Sequence, residues 1–107
     1  MSDDVAVLVT VGTSDEGHRI AEALVTDRLA ACANVVGPIS STYRWQGEIV
    51  HDQELLLVIK TRAALFGAVE ARVKQLHSYT TPEVIALPIA AGSAAYLDWL
   101  RAETQAR

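Results

Sequence analysis

Residues Leu55 to Ile59 form an unbroken apolar run of five side chains between Glu54 and Lys60. A short apolar run with charge at both ends reads as a strand buried on both faces. Alternation along a strand sends Leu55, Leu57 and Ile59 to one face and Leu56 and Val58 to the other, and each face needs a cover. Val5 to Val9 makes the same demand, with Thr10 interrupting before Val11. At 107 residues the chain has room for one domain, over residues 1–107, with a single core. If its helices suffice for one sheet face, the other must be covered by partner subunits.

The rest of the chain supplies two substantial helices. Thr13 to Glu16 has the spacing of a capping box, and a helix follows to about Ala31, with Ile20 and Leu24 on its apolar stripe. A strand from Asn34 to Trp45 contains Pro38, which cannot donate to a ladder, so it belongs at an edge or carries a bulge. Gln46-Gly47 turns the chain into Glu48 and the central run. Thr61 is placed to cap a second helix from about Arg62 to His77, in which Phe66, Val69, Val73 and Leu76 recur at helical spacing. A loop to Pro82 leads to a strand opened by Glu83 and running through Ile89, with Pro88 marking another edge. A short helix after Gly92-Ser93 carries Tyr96, Trp99 and Leu100 on one side.

The order βαββαβ plus a C-terminal helix is the ferredoxin-like α+β motif, an antiparallel sheet with two helices on one face. Its spatial strand order, 4-1-3-2, puts the two continuously apolar strands in the centre and the two proline-bearing strands at the edges, so separate signals agree.

Composition narrows the function classes. A formal charge of -4 with no lysine or arginine cluster argues against a general nucleic-acid or anionic-membrane surface. Cys32 is the sole cysteine, which excludes an intrachain disulfide and suits a reducing compartment. No apolar run approaches the roughly 20 residues of a membrane span, and Met1-Ser2-Asp3-Asp4 lacks the basic start of a signal peptide. A soluble cytoplasmic protein is the expectation.

His18, His51, His77 and Cys32 are the candidate imidazole and thiolate metal ligands, but their spacing forms neither CxxC nor HxxxH. His18 and His51 sit in polar surroundings and read as solvated. His77 closes a helix and opens a polar loop ending in Glu83, and Lys60 ends the central run. Cys32 and His77 could serve a nucleophilic mechanism only if the fold joined them, so no catalytic constellation is legible and a binding protein is expected. Gly12-Thr13-Ser14 carries no basic residue and matches no phosphate loop.

Taken in order, Leu29 to Val35, Ser41 to Ile49, Glu54, Lys60-Thr61, His77 to Glu83, Leu87 to Ile89, and Gly92 with Tyr96 and Trp99 resemble the CutA family of divalent-cation tolerance proteins, over nearly the whole chain. The resemblance implies a homotrimer whose sheets pack around a threefold axis, similar in architecture to the PII signalling proteins. It implies a cleft between subunits lined by Cys32, Tyr43, Trp45, Lys60, His77, Tyr79 and Glu83. It also implies a response to divalent ions such as Cu²⁺, with His77 as the metal ligand, and the alternatives are a PII-like site for a small metabolite or an enzyme using the cleft between subunits. Where copper-binding relatives carry a cysteine and two adjacent histidines, this chain has Val11 and Leu76-His77.

Overall fold

A computed structural model describes residues 3–104. Its elements are β1 (Asp4–Val11), α1 (Ser14–Thr26), β2 (Cys32–Trp45), β3 (Glu48–Arg62), a 3₁₀ turn (Ala63–Leu65), α2 (Phe66–Leu76), β4 (Ile85–Pro88) and α3 (Ala94–Glu103). The four strands form one antiparallel sheet in the order β2-β3-β1-β4, so the apolar strands are central and both prolines lie on edge strands, as the sequence predicts. Among the described residues no helix is long and apolar enough to cross a membrane.

One face of the sheet is sealed. Val7, Val9 and Val11 of β1 and Leu57 and Ile59 of β3 are fully buried with Ile20 and Leu24 of α1 and Val69 and Val73 of α2. Each such side chain, fully removed from water, stabilises the fold by about 1.5–3 kcal/mol before entropy is counted. The opposite face carries Leu8, Leu56 and Val58, all half-buried, and Val36, Ile85 and Leu87, which are nearly half exposed.

Pro38 does more than mark an edge. The β2–β3 register shifts between Val36 and Ile39, so Val36 faces Leu56 and Ile39 faces Glu54. This bulge reverses the alternation of β2, and Cys32, Asn34 and Val36 before it share a sheet face with Ile39, Ser41, Tyr43 and Trp45 after it. Gly37 makes the shift possible with φ of +145°, and a Cβ there would lie 3.2 Å from the Glu54 carbonyl oxygen. At the hairpin tip Gln46 and Gly47 both have positive φ, as a two-residue type I′ turn requires.

Four local expectations are corrected. The first helix ends at Thr26, not near Ala31, because Arg28 adopts φ of +60° and the Leu29 and Ala30 amides turn back to the Leu24 carbonyl. Thr61 caps no helix; its hydroxyl donates to the Leu29 carbonyl at 2.6 Å, and β3 continues to Arg62 before the 3₁₀ turn starts. The last strand is confined to Ile85–Pro88, leaving Glu83 in the preceding loop. In α3 only Leu100 is buried, while Tyr96 and Trp99 stay exposed. This helix is fixed across the end of the sheet by Arg101 to Asp4 at 2.6 Å and by the Arg62 guanidinium donating to Thr104.

Candidate functional site

The loop between α2 and β4 is tied down from beneath. Thr13 caps α1 by accepting the Glu16 amide at 3.2 Å, which is half of the expected capping box. The other half is diverted, because the buried Glu16 carboxylate accepts the Ser78 amide and hydroxyl at 2.7 and 3.0 Å. His77 completes the anchor: Nε2 donates to the Thr10 carbonyl at 2.8 Å and Nδ1 accepts the Tyr79 amide at 3.0 Å. That pattern uses both ring nitrogens, and the Glu16 carboxylate lies 3.4 Å from Nδ1. The His77 and Tyr79 rings lie 4.6 Å apart.

Held this way, Tyr79 reaches β3 and donates its hydroxyl to Glu54 at 2.7 Å. Tyr43, which the β2 bulge turns to the same face, donates to Asp52 at 2.5 Å. The hairpin forms one wall and the Ser78–Glu83 loop the other, enclosing a cleft of about 650 Å³, within the range of small-molecule sites. Tyr43 and Trp45 line the hairpin wall, Tyr79 and Glu83 the loop wall, and Glu54 with Thr10 the floor. Serine and threonine hydroxyls supply most of the remaining polar surface, and among the described residues no lysine, arginine or histidine lines the cleft.

The carboxylates hold both phenols in their protonated, donating form. The Tyr43 hydroxyl is pushed up from 10.0 to about 12, first by its hydrogen bond to Asp52, then by burial and by the charges of Asp52 and Glu54. Tyr79 is raised further, chiefly by burial and then by its hydrogen bond to Glu54.

The seven expected site residues therefore divide. Tyr43, Trp45, Tyr79 and Glu83 share the cleft, and His77 lies buried behind it as the brace of the loop. Cys32 and Lys60 lie elsewhere: they are cross-strand partners, the Cys32 thiol donates to Asn34 Oδ1 at 3.7 Å, and the Lys60 ammonium contacts the same oxygen. Lys60 and Glu54 are about 20 Å apart along β3, at about 3.4 Å per residue. The sheet's uncovered face thus runs from a Cys32–Asn34–Lys60 corner, over Leu56 and Val58, to the acidic cleft.

In the sequence Glu54 stands out as the boundary of an apolar run and as one of the positions of the family resemblance, but neither it nor Asp52, Thr10, Glu16 or Ser78 is marked there as part of the site. Asp52 and Glu54 carried a usable signal, since they continue the Leu56–Val58 face with acids where solvent-facing neutral residues would serve. The Thr10 and Ser78 contacts join residues far apart in the chain and leave no local pattern.

Residues 5–103 match the family model described as CutA1 divalent ion tolerance protein. The chain belongs to this CutA1 family. It is 56% identical over 98 residues to the divalent-cation tolerance protein CutA of Thermus thermophilus, covering 92% of this chain and 95% of that one. It is 46% identical over 101 residues to the chloroplastic Protein CutA 1 of rice, covering 94% of this chain but only 57% of the rice protein. The solved structure of the Thermus thermophilus divalent cation tolerance protein superposes with a TM-score of 0.93 at 54% identity, over 95% of this chain and 99% of that one. Membership in the CutA1 family accords with the ferredoxin-like architecture.

Proposed function

We propose that this CutA1-family chain works in divalent-cation tolerance as a homotrimeric binding protein, whose ligand occupies the cleft beside the uncovered sheet face. The observation that carries the reading is the uncovered face itself, where half-buried Leu8, Leu56 and Val58 adjoin the cleft. Packing three copies through these faces would bury that surface and could bring the Cys32–Lys60 corner of one copy towards the cleft of another. The number three follows from the family resemblance, since an apolar face demands a cover without setting its symmetry. A cytoplasmic location belongs to the same proposal and is supported by Cys32, a partly exposed free thiol.

Copper has a specific difficulty. His77 is the expected ligand, yet a metal at either nitrogen would have to displace the Thr10 carbonyl or the Tyr79 amide. Among the described residues no three of His, Cys, Asp and Glu gather into a metal site. The residues do not fit a preformed copper centre, so a small-molecule role for the cleft is the better supported reading. Binding is favoured over catalysis because Cys32 has Asn34 as its hydrogen-bond partner, while His77 is committed to Thr10 and Tyr79.

A thermal-shift screen of divalent metals and small metabolites tests the reading, with light scattering for the assembly. The expected result is a trimer stabilised by an organic ligand, by about 2.7 kcal/mol at a hundredfold excess over its Kd. A copper-specific shift lost in His77→Gln would reinstate the metal centre.

A further inference from the structure

We propose that the cleft takes an organic cation, a small molecule bearing a protonated primary amine, with Glu54 as its anchoring carboxylate. The proposal deepens the binding reading above and rests on it.

Glu54 is only 5% exposed, yet the single protein hydrogen bond to its carboxylate among the described residues comes from Tyr79 to Oε2. No basic side chain among them lies within ion-pair distance of it. Its other oxygen accepts no hydrogen bond from the described residues and stays open to the cleft, where an arriving ammonium would meet a carboxylate already held in place by Tyr79. Glu83 adds a second acid on the loop wall, and among the described residues no basic side chain lines the cleft to welcome an anion.

The other groups fit an alkylammonium better than a metal ion. An ammonium has three donors and needs a carboxylate with hydroxyl acceptors, which Glu54, Thr10 and Ser41 offer. Trp45, nearly half exposed on the hairpin, presents an aromatic surface for cation–π contact. A divalent cation requires several convergent ligands, and none of the described acidic, histidine or cysteine residues form such a group. A cleft of about 650 Å³ also exceeds one ammonium and leaves room for a carbon chain with a second amine near Glu83.

Isothermal titration of the full chain at low salt with 1,4-diaminobutane and spermidine tests the proposal, with 1,4-butanediol and succinate as neutral and anionic matches. The amines should bind saturably and the controls should not. Glu54→Gln should weaken amine binding about tenfold or more. Trp45→Leu, on the exposed hairpin where folding is not at stake, should weaken it about threefold. Absence of amine binding to the wild-type chain, or equal binding by wild type and both folded variants, would overturn the proposal. Amine binding that appears only in Lys60→Ala would overturn it too, placing a second copy's lysine in the cleft. Light scattering on the same samples separates the two readings: a trimer without amine binding removes only the ligand class, and an amine-binding monomer removes only the assembly.

Discussion

Leu57 and Ile59 are fully buried, whereas Leu56 and Val58, alternating with them on β3, are only half-buried. Composition does not distinguish the two sets. The difference lies in what the chain can place over each: α1 and α2 close the first face, and α3 is fixed at one end of the sheet by Arg101–Asp4 and Arg62–Thr104. The second face also carries the candidate binding groups, the acidic cleft at one end and the Cys32–Asn34–Lys60 corner at the other. A sealed face does stability alone; an unsealed one can combine assembly with binding.

Substitutions on the two faces should therefore behave differently. The largest loss of stability is expected for Leu57→Ala, about 2–5 kcal/mol in chemical denaturation, with the particle mass unchanged. Gly37→Ala follows at about 1–3 kcal/mol, because the residue has a positive φ and its new Cβ would crowd the Glu54 backbone. That variant should also reach the second face, since a disturbed bulge would turn Tyr43 and Trp45 away from it and loosen the cleft. Thr61→Val, at the end of the sealed face, should cost about 1–2 kcal/mol by removing the donor to the Leu29 carbonyl. The smallest effect is on pH dependence. Tyr43 and Tyr79 bind their protons more tightly folded than unfolded, so their contribution is complete below pH 10.0 and declines as pH rises towards about 12. Thermal melts in that window should show the decline, and in Tyr79→Phe it should be reduced.

The fold was legible because its signals are local and periodic. Continuous apolar runs placed β1 and β3 in the centre, Pro38 and Pro88 placed β2 and β4 at the edges, and Gln46-Gly47 placed the hairpin turn. Boundaries were harder where a residue's partner is distant: Thr61 looks like a cap in sequence, but its hydroxyl is spent on Leu29 across the fold. The site was legible in part for the same reason. Aromatic residues at alternate positions pointed to Tyr43 and Trp45, whereas the face they occupy depends on a bulge whose reversal of alternation no periodicity count registers. His77 stood out as a histidine at a helix end; its commitment to Thr10 and Tyr79 required the sheet and the loop to be in place.

Assembly and binding on the second face both depend on its being covered by other copies of this chain. Static light scattering at micromolar concentration, on the wild type and on Val58→Glu, tests this most directly. The expected result is a wild-type particle of three times the 11.5 kDa chain mass, falling to the single-chain mass when a charge enters the apolar face. A wild-type particle of 11.5 kDa, with Val58→Glu indistinguishable from it, would contradict the account.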